Sequence, residues 1–135
     1  MLEGVNKIKA WQLADHLAIE IYRATRAFPR DETYGLTSQI RRAAVSVAAN
    51  IAEGSQRQFT KEYAQFLYVA KGSLTEVEYY LHLALQLEYL AQSEADRLVA
   101  LHDEAARTLH GLITWVEGKM ASGCIRKSDL TKAQD

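Results

Sequence analysis

The stretch 36–54, LTSQIRRAAVSVAANIAEG, repeats apolar residues every three or four positions. At about 100° per residue, Leu36, Ile40, Ala43, Ala44, Val47 and Ile51 share roughly one third of a helix circumference. That stripe predicts a core face. Gln39, Arg42, Ser46, Asn50 and Glu53 form a second, wholly polar stripe. Val45, Ala48, Ala49 and Ala52 occupy the far side. A helix on a monomer's surface should be charged there, and this one is small and apolar. The pattern predicts a helix packed on two sides, inward against its own bundle and outward against another surface. Gly54 is placed to end it in a left-handed cap.

Three further helices follow from the same periodicity. Residues 6–28 carry Trp11, Ala14, Leu17, Ala18, Ile21, Tyr22, Thr25 and Phe28 on one face, and Pro29 ends the run. Residues 61–90 begin after Thr60, an expected N-cap, and carry Tyr63, Phe66, Ala70, Leu74, Val77, Leu81 and Ala84 as the core stripe. Their opposite face holds Tyr68, Gly72, Tyr79, Leu83 and Leu87, with Tyr80 at its margin. A mid-helix glycine costs about 1 kcal/mol relative to alanine, so Gly72 predicts a close contact or a bend. Residues 94–120 begin after Ser93, an expected N-cap with Asp96 three positions on. Leu98, Leu101, Ala105, Leu109, Leu112 and Val116 make an ordinary one-sided stripe there. Short polar connections and the lack of strand alternation predict an all-α, up-down-up-down antiparallel four-helix bundle over residues 1–120. Residues 121–135 are aperiodic and are expected to form a flexible tail.

Composition adds limits. A chain of 135 residues fits one domain, and 48% apolar content suits a globular fold. Cys124 is the only cysteine, so no internal disulfide forms, which suits a reducing compartment. No signal-type or membrane-spanning run is present, and a cytoplasmic location is expected, away from membranes. The net charge of −1 gives nucleic acid little overall attraction.

Catalytic and metal chemistry finds no footing. A di-iron bundle needs Glu-x-x-His pairs, and the residues three before His16, His82, His102 and His110 are Leu13, Tyr79, Val99 and Arg107. Glu78 and His82 read as a surface pair, and Asp31–Glu32 as a solvated turn. No phosphate loop or nucleophile motif occurs, so neither an enzyme nor a cofactor is expected. Basic residues do gather near the second helix: Arg41, Arg42, Arg57 and Lys61, with Lys7, Lys9 and Arg30 as additions. Such arginines suit phosphates, and Tyr68, Tyr79 or Tyr80 suit base stacking, although Glu53, Glu62 and Glu76 are interleaved with them.

The run YGLTSQIRRAAVSVAANIAEG (Tyr34–Gly54) resembles the signature of bacterial four-helix-bundle proteins encoded within intervening sequences of 23S ribosomal RNA genes. Lys9–Ala10–Trp11, Lys61–Glu62–Tyr63 and Ala70–Lys71–Gly72–Ser73–Leu74 fit the same pattern. The sequence departs at Ala48, where that family usually has proline, and alanine should leave the helix straighter. The resemblance implies a ring-like homopentamer without enzymatic activity, and an association with ribosomal RNA. The first expectation is therefore a self-assembling interaction scaffold. Val45, Ala48, Ala49 and Ala52 would pack against Tyr68, Tyr79, Leu83 and Leu87 of a neighbouring copy. The stripe Gln39, Arg42, Ser46, Asn50 and Glu53 would line a rim or channel. The alternative is RNA binding through a basic ring of Arg41, Arg42 and Arg57.

Overall fold

The computed structural model describes residues 2–120. Four helices run α1 (Lys9–Thr25), α2 (Leu36–Ser55), α3 (Thr60–Gln86) and α4 (Gln92–Met120), with no strand among the described residues. Short 3-10 turns at Val5–Lys7 and Arg30–Glu32 precede α1 and α2. Each helix packs mainly on two neighbours, α1 on α2 and α4, α3 on α2 and α4, which closes a four-helix bundle. Side-chain pairs show that the neighbours are antiparallel. Late Glu20 of α1 meets early Arg97 of α4, and early Tyr68 of α3 meets late Glu117 of α4. Early Arg41 of α2 likewise meets Thr25 at the end of α1.

The core forms where the stripes predict it. All six predicted inward residues of α2 are buried, as are Tyr63, Ala70, Leu74, Val77, Leu81 and Ala84 of α3. Fully burying one such leucine, isoleucine or valine contributes roughly 1.5–3 kcal/mol. The margins differ: Trp11, Phe66 and Leu101 are only half-buried, and Tyr22 is exposed. Position 48 carries alanine, and α2 is one uninterrupted helix through it.

The helix ends hold most of the corrections. Gly54 does not cap α2: it lies inside the helix, which continues to Ser55. A Cβ at position 54 would stand 2.8 Å from Phe66 Cβ and 2.9 Å from Tyr63 Cδ1. The glycine is needed because α2 and α3 meet there almost backbone to backbone. Thr60 is the first helical residue of α3, not its cap, and Phe59 takes the cap position. Ser93 does not cap α4 either, since the helix already includes Gln92, whose amide donates to Asp96 Oδ1. α1 begins at Lys9 and ends at Thr25, three residues short of Phe28. Phe28 is nevertheless buried, its ring 5.5 Å from that of Tyr89. Gly72 meets no neighbour: nothing lies within 4 Å of a Cβ built there.

α3 stops at Gln86 because Glu88 turns into the left-handed region at φ 63°. The Tyr89 N–H donates to Ala84 O at 2.9 Å and the Glu88 N–H to Leu85 O at 3.0 Å, the paired bonds of a Schellman ending. Glycine normally holds that position, because a Cβ costs about 1 kcal/mol there. Glu88→Gly should therefore raise stability by about 1 kcal/mol, read from urea unfolding. An unchanged midpoint would show that the left-handed turn carries no penalty in this chain.

The turn before α2 is not simply solvated. The Leu36 N–H donates to Glu32 Oε1 at 3.1 Å, and the Tyr89 hydroxyl donates to Glu32 Oε2 at 2.9 Å. One carboxylate thus caps α2 and ties the two loops at that end of the bundle together. These two bonds, the backbone one first, hold the Glu32 carboxyl below its ordinary value of 4.5. The folded value lies under the unfolded one, so this stabilisation is complete above about pH 4.5 and is lost as pH falls through the folded value. Thermal melts across that acid range should show a shallower loss for Glu32→Gln than for the parent chain. Parallel curves would mean that the cap adds nothing.

Candidate assembly surface

The predicted outer residues divide into two groups. Val45 and Ala49 of α2 are exposed, as are Tyr68 and Tyr79 of α3 and Leu87 just past its end. Ala48, Ala52 and Leu83 are half-buried, and Ala48 and Leu83 pack on the chain's own core. Those two already spend much of their apolar surface inside the bundle. Tyr68 donates its hydroxyl to Glu117 at 3.0 Å, and that bond raises the tyrosine above its usual range. Its ring remains 46% exposed, beside the Lys71 ammonium. Tyr79 tilts against Tyr80.

Helix periodicity missed several members of this surface. Val69 of α3 is 52% exposed. Ile19 and Tyr22 of α1 join Val45 in a shallow groove of about 360 Å³, edged by Asp15, Ala18, Arg23 and Arg26. Ile19 and Tyr22 lie three apart on the flank of α1, beside its core arc. A wheel drawn for α1 alone assigns Tyr22 to the core, and only the position of α2 shows that the residue stays outside. Apolar groups exposed on neighbouring helices in this way commonly mark an interaction surface.

The polar stripe of α2 also divides. Gln39 and Arg42 are exposed. Ser46 turns toward α3, where the Ser73 hydroxyl donates to Ser46 Oγ at 2.8 Å, and the Asn50 amide, one turn on within α2, donates to Ser46 O at 2.8 Å and to Ser46 Oγ at 2.9 Å. Ser46 thus serves the α2–α3 contact, and Asn50 holds Ser46. Glu53 pairs with Arg57, whose guanidinium also lies 4.8 Å from the Phe66 ring centre. The charge of Arg57 is thereby neutralised locally.

Arg41 has a different setting. Its Nε donates to Thr25 Oγ1 at 2.8 Å and its Nη2 to Tyr22 O at 3.3 Å. The guanidinium stacks 4.6 Å from the Tyr22 ring centre. All these partners are uncharged. Arg41 borders a pocket of about 470 Å³ between the end of α1 and the start of α2. Arg26, Arg30 and Arg42 line it too, with Phe28, Tyr34 and the hydroxyls of Thr33, Thr37 and Ser38.

Several titratable groups elsewhere are engaged in structure. Glu20 bridges Arg23 and Arg97, and Arg97 also binds Glu94. The Arg97 guanidinium, then that of Arg23, holds the Glu20 carboxyl below its usual range. Exposed pairs of this kind contribute little to stability, but they fix α4 against α1. His102 is buried, with Nε2 2.8 Å from Leu74 O and Nδ1 3.0 Å from Asp103. It links α4 to α3. Glu78 lies 3.9 Å from this histidine, and the ring of His82 sits beside Tyr79. Among the described residues, no three His, Cys, Asp or Glu side chains gather to hold a metal. No described helix is long and apolar enough to cross a membrane. Cys124 and the expected tail 121–135 lie outside the described residues.

Comparison with known proteins gives a consistent picture. A search of curated proteins finds no match. A solved crystal structure from Bacteroides thetaiotaomicron, of a protein with unknown function from the S23 ribosomal protein family, is similar in fold. Its TM-score is 0.69 at 23% identity, over 77% of this chain and 97% of that one. Residues 6–111 match the model of the 23S rRNA-intervening sequence protein family, and they span all of α1 to α3 and most of α4. The chain therefore belongs to the family of 23S rRNA-intervening sequence proteins.

Proposed function

We propose that this chain is a non-enzymatic, self-assembling scaffold that forms a ring-like homo-oligomer. The observation that carries this reading is a pair of uncovered apolar surfaces on different helices. One is the α1–α2 groove with Ile19, Tyr22 and Val45. The other is the outer side of α3 with Tyr68, Val69 and Tyr79, continued by Leu87 at its C-cap. One patch meeting a different patch is a heterologous contact, and such contacts close into rings when the rotation permits. Ala49 and Gly72, small and exposed, suit a close approach of two backbones. A pentamer is the ring size that the family resemblance implies. Sedimentation velocity or native mass spectrometry at micromolar concentration tests the reading. A species near five times 15.2 kDa is expected, and a monomer at that concentration ends the proposal.

RNA binding is the second reading. Arg41 and Arg42 favour it, because they face a pocket that no carboxylate lines. Arg57 does not, since Glu53 already holds it.

A further inference from the structure

The arginines of this chain are not distributed evenly between paired and unpaired settings. Of those described, Arg23, Arg57 and Arg97 form ion pairs with glutamates. Arg26, Arg30, Arg41, Arg42 and Arg107 form none among the described residues. Four of those five line one pocket, between the end of α1 and the start of α2. Asp31 and Glu32 sit in the same turn, yet neither lines the pocket, and Glu32 is turned to the Leu36 N–H and the Tyr89 hydroxyl. Like charges gathered without counter-charges repel, so the site favours an anion. Thr37 and Ser38 stand in the first turn of the 20-residue α2 and add hydroxyl groups to the lining.

The aromatic groups narrow the class of anion. The Tyr22 face is already taken by Arg41. Phe28 is buried against Tyr89. Tyr34 is 95% exposed at the edge of the pocket, with both ring faces open. Arginine forks match phosphate oxygens, and a free aromatic ring offers a stacking face to a base. The volume lies in the range of small-ligand sites.

We propose that this pocket binds a nucleotide, with its phosphate on Arg26, Arg30, Arg41 and Arg42 and its base on Tyr34. The nucleotide is either free or one unit of a single-stranded RNA. Arg41 is pre-oriented by Thr25 and Tyr22, which lowers the ordering cost of binding. The site rests on the nucleic-acid reading but confines it to one chain, so no ring is needed to build it.

Fluorescence anisotropy and calorimetry on the full chain test it with four probes: inorganic phosphate, a nucleoside monophosphate, the same nucleoside without phosphate, and a single-stranded RNA pentamer. One nucleotide per chain is expected, with affinity that falls as salt rises. Arg30→Gln with Arg42→Gln should weaken binding by about tenfold or more. Tyr34→Ala should weaken the nucleotide and leave inorganic phosphate unchanged. Arg107→Gln, an unpaired arginine on α4, should change nothing. Equal affinity for the monophosphate and the pentamer identifies a free nucleotide as the ligand, and a clear preference for the pentamer identifies RNA. Pentamer binding that ignores both the double arginine and the Tyr34 variants overturns the pocket while leaving an RNA-binding ring in place. Lack of binding by every probe at low salt overturns both.

Discussion

Gly54→Leu is expected to destabilise the bundle by about 3 kcal/mol or more, which for a chain of this size lowers the melting temperature by roughly 10 °C. The contact there is unusually unforgiving. A Cβ would approach Phe66 Cβ, Tyr63 Cδ1 and the Tyr63 carbonyl oxygen, the last at 3.3 Å. Phe66 Cβ is fixed to the α3 backbone, and Tyr63 is fully buried, so neither can swing aside. The two helices must separate, and that opens the α2–α3 contact, which includes the Ser46–Ser73 bond. Gly54→Ala is the informative intermediate. Its better helix propensity contributes about 1 kcal/mol, and the overlap opposes it, so the steric cost is the observed net loss plus about 1 kcal/mol. Gly72→Ala is the contrast. It has the same propensity gain and meets nothing within 4 Å, so it should stabilise the separate chain by about 1 kcal/mol. Circular dichroism during urea unfolding reads all three. If Gly54→Leu matched the parent, the helices would have to lie farther apart than the structure places them.

The same glycine shows what a linear reading leaves out. Periodicity identifies the inward residues of α2 and α3, because burial repeats with the helical turn and one sequence carries the whole signal. Gly54 belongs to a contact between two helices, and its meaning depends on which α3 residues lie opposite. Read within α2 alone, a glycine near the end is a cap. Glu32 is similar. A loop glutamate looks solvated until Tyr89, fifty-seven residues later, is known to reach it. Glu88 ends α3 in a left-handed turn where propensity calls for glycine, so periodicity carries the helix on to Leu90 while the structure ends it at Gln86. The arginine pocket is local in sequence, from Tyr22 to Arg42, and was still only partly visible. Counting charges around 22–42 includes Asp31 and Glu32 and gives a mixed patch. The direction in which Glu32 turns makes the pocket uniformly basic. The outer surface was partly readable because an apolar far side on α2 has no explanation within one bundle. Ile19 and Tyr22 escaped because their exposure depends on how far α2 covers α1.

If the chain assembles as proposed, Ala49→Glu should convert the oligomer to monomers while leaving each chain folded. Ala49 is exposed in the single bundle, so a glutamate there stays hydrated. The cost to folding is a few tenths of a kcal/mol, from helix propensity and from repulsion with Glu53 one turn on. The cost to association is of another order. A carboxylate placed between two close-packed helices loses water and has no planned partner, a penalty of several kcal/mol. Each 1.4 kcal/mol is tenfold in affinity, so the dissociation constant should rise by about a hundredfold or more. Ala100→Glu is the matched control: also an exposed alanine, also with an acidic residue one turn on, but on α4, which presents an ordinary polar face. It should assemble normally. Gly72→Ala adds an independent arm, because a methyl group that stabilises the lone chain should weaken a contact that needs the glycine. The combination separates assembly from folding: sedimentation should fall to the monomer value for Ala49→Glu at unchanged helicity and unchanged melting of the monomer. If both glutamate variants assemble alike, the contact lies away from the α2 outer face. The apolar groups of Val45, Ile19 and Tyr22 would then need a different occupant.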